Sequence, residues 1–471
     1  MLSVWQALTL SHVSFSQWQD ASYIHRLLVG RLRSWRQSSW LFQWADLLAA
    51  LLIGLVLSLT PFVSRGLLLV LLVASASFWA MLTLADATEP KKTTPIYLLI
   101  LLYWGIATVS TALSPVKLAA LNGWLELTLY LLLFALGTRV LRSPRLRSWL
   151  IVLYLHVALV ISVYGLQQGY FGASALATWV DPESPMSHLV RVYSYLGNPN
   201  LLAGYLLSAI ALSLVAVFAW SGWLPKALAL TMFVVNTDCL FLTYSRGGWI
   251  GFAAMLVVLL VLLGYWLSPQ LPPIWRRWSR PLLLSSLIIV FLLAAISVVF
   301  VKPVQERFLS IFAGRGDSSN NFRINVWTAV VQMIHERPLF GIGPGHNAFN
   351  KIYPIYQVPR FSALSAYSIL LEVAVETGLI GLASFVWLLI VTFNQAVQQL
   401  VRSRQLGHQD GLWLIGAIAA LVGTLAHGTV DTVWYRPEIN TVWWLLVALI
   451  ASYGTNSFSL PVGYHADLDV A

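Results

Sequence analysis

The chain has 471 residues, of which 58% are hydrophobic and only 10% charged, against about 25% charged in ordinary soluble domains. With a mean hydropathy of +0.76, this composition excludes a soluble enzyme, a secreted disulfide scaffold and a disordered chain. The single cysteine, Cys239, cannot form an internal disulfide. The formal net charge of +10 does not make nucleic acid a partner, because in a membrane protein the distribution of charge matters more than its sum.

A membrane-spanning helix needs about 20 apolar residues. Apolar runs bounded by charges, glycines and prolines predict about 12 transmembrane helices, near 47–63, 67–86, 95–113, 118–138, 148–166, 200–219, 226–243, 248–267, 282–301, 364–394, 411–430 and 440–455. Unbroken runs such as Met255 to Leu263 exclude a β-barrel, whose strands alternate apolar and polar residues. The fold class is therefore all-α, a polytopic membrane helix bundle. Residues 1–46 form a basic N-terminus without a cleavable signal peptide. Its stretch Tyr23 to Trp44 carries Arg26, Arg31, Arg33 and Arg36 among Leu, Trp and Phe, the composition of a helix lying on an anionic interface.

With the N-terminus inside, sixteen Lys and Arg fall on cytoplasmic segments and five on short outer ones, the other seven lying in the long 302–363 segment. Long loops are largely exempt from the positive-inside rule, so both termini are expected in the cytoplasm of a cell whose inner (plasma) membrane holds the protein. The order is then helices 1–9 over 47–301, an outer segment over 302–363, helices 10–12 over 364–455, and a tail over 456–471. The segments 167–199 and 302–363 share the outer face, where chemistry is expected.

Arg191 to Asn200 leads into the sixth span. Asn198-Pro-Asn200 reads as a turn, with Asn200 as a helix cap, or as a polar rim facing a ligand. Thr243 to Trp249 joins two spans within a few residues and holds Arg246 at the membrane boundary beside Ser245 and Gly247. A guanidinium there either matches phosphate oxygens or snorkels to lipid headgroups. Arg315-Gly-Asp317 is a common tripeptide without a function here. Trp327, Val330, Val331 and Ile334 recur at helical spacing, predicting an amphipathic helix with its cap among Ser318 to Asn321 and its end near Pro338. Arg323 sits on its first turn. Gly341-Ile-Gly-Pro-Gly345-His346 is a weak phosphate-loop resemblance, since no strand precedes it, and a turn fits better.

In the tenth span Ser365, Ser368, Glu372 and Glu376 form one polar stripe. Ionisable residues at the centre of a span cost about 2.5–3.5 kcal/mol on insertion scales and are functional candidates by default; a span beginning nearer 375 would put the stripe outside the membrane. Glu126 and Asp238 raise the same question. No His/Cys cluster has the spacing of a zinc site, and Asp467-Leu-Asp469 reads as a solvated tail. No metal and no cofactor are implied.

Together, Gly197-Asn198-Pro199-Asn200, the Ser245-Arg246-Gly247 hairpin and the stretch from Arg323 to Gly345 resemble the O-antigen ligase superfamily. Phe361 to Ser368 and the basic, Trp-rich N-terminus resemble its cyanobacterial IctB group, described as bicarbonate transporters. The ligase resemblance covers about residues 190–385. It implies a partner glycan carried on a polyprenyl diphosphate in the membrane lipid, outer-face arginines holding the diphosphate, and a histidine that activates the acceptor hydroxyl without a metal. The arginine role falls on Arg246 and Arg323, with Ser245, Arg191, Asn198, Asn200, Ser368 and Glu376 as further binding residues. The family's histidine motif is matched by Tyr367-Ser368, nine residues, Gly378, two residues and Gly381, except that tyrosine replaces histidine. With an unperturbed pKa of about 10 against about 6.5 for histidine, Tyr367 is a poor general base, which brings Glu372 and His346 forward as alternatives.

Three readings follow: glycan transfer or polymerisation, inorganic carbon (bicarbonate) transport, and non-catalytic binding of a lipid-linked glycan. Transport sites for anions commonly use broken helices in repeated halves; no internal repeat is visible, and the charges within the spans are acidic. The oligomeric state, sugar and acceptor are not encoded in any motif.

Overall fold

A computed structural model describes residues 4–10, 39–86, 94–172, 191–278, 299–431 and 433–454, with scattered positions between 281 and 296. Every regular element among the described residues is helical. The main helices are α1 (Ala45–Leu59), α2 (Arg65–Leu84), α3 (Pro95–Leu113), α4 (Lys117–Val140), α5 (Pro144–Phe171), α6 (Pro199–Ala219), α7 (Trp223–Leu242) and α8 (Arg246–Leu267). They continue with α9 (Lys302–Leu309), α10 (Ser318–Glu336), α11 (His346–Ile352), α12 (Ile369–Gln405), α13 (Gly411–Gly428) and α14 (Pro437–Gly454).

Among the described residues, ten helices, α1 to α8, α12 and α13, are long and apolar enough to cross a membrane. The predicted last span corresponds to α14, whose 18 residues include a buried Glu438 in the first turn. The predicted span near 282–301 lies mostly outside the described residues, as do residues 11–38 of the basic N-terminal segment and the tail from 455. The described parts of that segment hold a short helix, Val4–Leu8, and a 3-10 turn, Trp40–Trp44, with both of these turn tryptophans exposed.

Two helices form the hub. In α6 and α13, 83% of the spanning window is buried, the pattern of a helix apolar on all sides and surrounded by others. Helices α6 and α8 pack on α13, α7 packs on α6, α3 on α12, and α4 on α14. Around α13 the packing depends on absent side chains. A methyl group on Gly247 of α8 would lie 2.5 Å from His427 Cδ2, and one on Gly204 of α6 would lie 3.2 Å from His427 Nδ1.

The segment 302–363 builds a second, smaller apolar cluster in which Val326, Ala329, Val330 and Met333 of α10 meet Ile342, Phe349 and Tyr353. The buried stripe of α10 is therefore set one residue earlier than the sequence pattern indicates, and Val331 is 54% exposed. Asp317 caps the helix, its carboxylate accepting from the Asn320 N–H at 2.9 Å, in place of the expected Ser318 to Asn321.

Helix α12 begins at Ile369 rather than near 364, so Ser365 and Ser368 precede it and only Glu372 and Glu376 of the polar stripe are helical. It is interrupted at Gly378, whose backbone is left-handed and extended (φ 73°, ψ −178°). The interruption is filled by the 338–345 loop. Ile342 N–H donates to the Val375 carbonyl at 2.9 Å, Gly343 N–H to the Glu376 carbonyl at 3.0 Å, and Leu379 N–H to the Pro338 carbonyl at 2.7 Å. The Ser110 hydroxyl of α3 lies against the Glu376 and Phe340 carbonyls. The glycine-rich loop is thus a backbone plug and not a phosphate cradle. Glycines on both sides are needed for contact: a methyl on Gly341 of the loop would sit 2.4 Å from the Val375 oxygen, and one on Gly378 of α12 would sit 2.1 Å from the Leu339 oxygen.

Gly378→Ala is expected to lower thermal stability well beyond the Gly105→Ala control, where a methyl would meet nothing within 4 Å. The backbone strain alone contributes about 1–3 kcal/mol, before any clash. Differential scanning fluorimetry of both variants in detergent checks this.

Candidate functional site

One end of the bundle gathers the start of α6, the α7–α8 hairpin, α9, the start of α10 and the end of α13. Asn198 caps α6, its side chain accepting from the Asn200 N–H at 2.8 Å and the Leu201 N–H at 3.3 Å, so the cap is Asn198 and not Asn200. The Asn200 side chain is left to accept from Arg191 Nη2 at 2.8 Å. Arg191 Nε also donates to the Thr243 carbonyl at 2.9 Å, which ties the segment before α6 to the α7–α8 hairpin. Ser245 caps α8 by accepting from the Gly248 N–H at 3.2 Å. This fixes Arg246 on the first turn, where its side chain is only 5% exposed.

Arg246 Nη2 pairs with Asp317 Oδ1 at 2.9 Å and Nη1 donates to the Ser310 hydroxyl at 2.9 Å. Arg323 Nη2 pairs with Asp431 Oδ2 at 3.1 Å, and its Nη1 donates to Ser319 at 2.9 Å. Arg307 Nε donates to the Tyr244 carbonyl at 3.0 Å. Tyr244 holds a positive φ of 48°, and Tyr367 one of 53°; non-glycine residues there store about 1–3 kcal/mol each and cluster at functional sites. The Tyr367 carbonyl accepts from Trp327 Nε1 at 3.3 Å, so the strained backbone is held by α10.

Four guanidiniums, those of Arg191, Arg246, Arg307 and Arg323, thus lie within electrostatic reach of one another beside the carboxylates Asp317 and Asp431. Burial pushes Arg191 down to about 10. Burial, and then the neighbouring Arg191 and Arg246, push Arg307 down to about 9. Both stay charged at neutral pH, which leaves a half-buried positive excess with the forked donors that suit phosphate oxygens. Tyr367 completes the rim. Burial first, and then the Asp431 charge, raise its phenol above the usual tyrosine range, so it keeps its proton and acts as a donor and not a base. Asp431 is thereby the point on which Arg246, Arg323 and Tyr367 converge.

A second, acidic cleft opens beside it, about 550 Å³ counting its mouth, lined by residues of α2, α3, α4, α12, α14, the glycine loop and the α13–α14 connection. Glu372 and Glu376 lie on its wall. Arg65 and Glu126 form a bidentate pair at 3.0 and 2.5 Å beside them. His346 also lines it, stacked on Tyr435 with ring centroids 5.0 Å apart. Both of its ring nitrogens are engaged: Nδ1 donates to the Leu364 carbonyl at 2.6 Å and Nε2 accepts from Asn350 Nδ2 at 2.7 Å. Burial lowers its pKa, so the ring is neutral with no nitrogen lone pair to offer.

Arg246, Arg323, Arg191, Asn198, Asn200 and Ser245 are therefore grouped, with Tyr367 beside them, whereas Glu372, Glu376 and His346 face the acidic cleft. Ser368 stands at the start of α12, its carbonyl accepting from the Glu372 N–H at 2.8 Å. Asp238 lies elsewhere, with Tyr170 at 3.4 Å. Sequence reasoning missed Arg307, Asp317, Asp431 and His427. Asp317 was set aside within a common tripeptide, and only the i, i+4 spacing of His427 and Asp431, 3.8 Å apart, offered a local signal. No group of His, Cys, Asp and Glu among the described residues has the arrangement of a metal site.

Arg323→Ala is expected to destabilise by about 3 kcal/mol, because it removes a counter-ion from a buried carboxylate. The double variant Arg323→Ala/Asp431→Asn should recover part of the loss in the same melting experiment. For His346 the folded pKa is lowered, so the unfolded chain takes the proton first and stability falls as the pH drops below about 6.5. Melting temperatures measured from neutral to mildly acidic pH should show that fall, and His346→Gln should flatten it.

Residues 227–386 match the family model described as O-antigen ligase. The matched stretch holds Arg246, Arg307, Asp317, Arg323 and Tyr367, the glycine loop and the interruption of α12, while Arg191, Asn198, His427 and Asp431 lie outside it. No curated protein matches the chain. Across that stretch, an all-α multi-pass membrane protein is similar to the O-antigen ligase family, which supports a glycan-ligase-like role.

Proposed function

We propose that the protein handles a glycan carried on a polyprenyl diphosphate at the outer face of the membrane, with the arginine cluster holding the diphosphate. The observation that carries this reading is the excess of guanidinium over carboxylate: Arg191, Arg246, Arg307 and Arg323 against Asp317 and Asp431. Arg191 and Arg307 hydrogen-bond to neutral oxygens of Asn200, Thr243 and Tyr244, so their charge is available to an anion. The positive-inside distribution of Lys and Arg supports the outer leaflet for this end.

In the transfer step the acceptor hydroxyl oxygen bonds to the anomeric carbon as the bond from that carbon to the diphosphate oxygen breaks. The arginines hold the charge that develops on the departing diphosphate. The hydroxyl proton needs a base. Tyr367 keeps its own proton and both nitrogens of His346 are occupied, so the proton passes to an oxygen of the departing diphosphate as that oxygen gains charge.

The interruption of α12 is the one feature that favours a transporter, since broken helices build many ion sites. The Val375 and Glu376 carbonyls it frees are, however, taken by protein N–H groups, and the nearby charges are carboxylates that repel bicarbonate.

Undecaprenyl diphosphate binding to the purified protein tests the main reading. Arg246→Ala and Arg307→Ala should each weaken it by about tenfold or more, because a hydrogen bond to a charged group contributes about 1.5–3 kcal/mol. Binding indifferent to both changes would defeat the proposal.

A further inference from the structure

The guanidinium of Arg246 is held from one short stretch of chain, between α9 and α10. Its Nη1 donates to the Ser310 hydroxyl at 2.9 Å and to the Ser310 carbonyl at 3.1 Å, and its Nη2 pairs with Asp317 Oδ1 at 2.9 Å. A carboxylate and a phosphate present a guanidinium with the same pair of oxygens, so Asp317 stands where an anion would bind. Arg191 and Arg307, by contrast, donate to neutral oxygens. The cluster therefore holds an internal carboxylate on one arginine and leaves the charge of two others to attract an incoming anion.

The two partners of this contact differ in how firmly they are seated. Arg246 is buried on the first turn of α8, beside the Gly247 contact with His427. The stretch that holds it is anchored by polar contacts. No residue of α9 is buried, and none of its side chains joins an apolar cluster among the described residues. Beyond it Leu309 and Phe312 are 58% and 75% exposed. Arg307 Nε on the Tyr244 carbonyl fixes one end, and Asn320 Nδ2 donates to the Ser310 carbonyl at 2.8 Å. At the other end Gly314 holds a φ of 52°, and a methyl on Gly314 or Gly316 would meet nothing within 4 Å. The joint has room to turn, whereas α10 beyond it is anchored by Val326, Ala329, Val330 and Met333.

We infer that residues 308–317 form an autoinhibitory strap, latched on Arg246 by Asp317 and Ser310 and released when a diphosphate takes that guanidinium. The identity of the anion rests on the proposed function above. A diphosphate carries more charge than the one carboxylate it displaces, and it draws on Arg191 and Arg307 as well. Asp317 keeps its cap on α10 through the Asn320 N–H while giving up Arg246. Segments with few buried contacts open at low cost, and a ligand that needs the open form binds with an affinity reduced by the fraction of molecules that are open. Removing the charge of Asp317 therefore strengthens anion binding. The opposite follows if Asp317 only steadies Arg246 for the ligand.

The variants that test the strap are Asp317→Asn and Asp317→Ser. Asn and Ser are both good helix caps, so α10 keeps its start while the charge is lost. The full chain in lipid nanodiscs is titrated with inorganic diphosphate and with undecaprenyl diphosphate. A nitroxide on Phe312→Cys reports the strap by electron paramagnetic resonance, the native Cys239 being buried. Both variants are expected to bind both anions about fivefold tighter or more. The label should gain mobility when either anion is added to the chain with Asp317 intact, and should be mobile without anion in Asp317→Asn. Unchanged or weaker binding in both variants, or a label that stays still while diphosphate binds, would overturn the latch. The two anions keep the readings apart. Tighter inorganic diphosphate binding in the variants, without binding of the lipid-linked form, removes the proposed function alone. Lipid-diphosphate binding that neither variant improves removes the latch alone, and binding of neither anion removes both.

Discussion

The backbone plug in α12 is the constraint on which the functional end depends. A helix interrupted at membrane depth must find partners for the N–H and C=O groups it exposes, because no water is there to take them. Here the partners come from the 338–345 loop, whose Ile342 and Gly343 amides reach the Val375 and Glu376 carbonyls before Gly378 and whose Pro338 carbonyl accepts from the Leu379 N–H after it. Ser114 adds a hydrogen bond at 2.6 Å to the Ile342 carbonyl, which ties α3 to the loop. One set of contacts therefore fixes the direction of the first turns of α12, which carry Glu372 and Glu376, and the seat of His346 at the start of α11.

The two sides of the site contrast in what they leave unsatisfied. On the arginine side the donors outnumber the charges that answer them, and strained backbone at Tyr244 and Tyr367 aims carbonyls at Arg307 and Trp327. On the cleft side the acceptors are in excess.

Much of this was legible in the chain. Unbroken apolar runs located most of the described spans to within a few residues, Pro95–Leu113 to the residue, but α12 runs over Ile369–Gln405 and not 364–394. Arg246 and Arg323 were visible because each sits beside a local signal, a tight hairpin in one case and an amphipathic helix in the other. What the sequence could not convey were contacts made at long range. Asp431 acquires meaning only when the end of α13 meets Arg323, 108 positions away, and Glu126 only when α4 meets Arg65. The glycine loop misled for a related reason: glycine spacing signals close backbone approach, and whether a phosphate or another helix approaches is decided by tertiary structure. The one-residue shift of the stripe on α10 has the same origin, since the cluster that buries it is assembled from α11 and α12 as well.

His427 carries a consequence for how the molecule can move. Its imidazole is fully buried, without a hydrogen bond on either nitrogen, and it occupies notches formed by Gly204 on α6 and by Gly247 and Gly251 on α8. Interiors packed this closely do not deform continuously. Sliding α8 along α13 would drive the ring into a helix backbone, so these three helices move as one body. Arg246, one residue from the notch at Gly247, is anchored to the least mobile part of the bundle. Displacement of one of these three helices along another is therefore blocked at the level of His427, and the arginine cluster keeps a fixed footing on them.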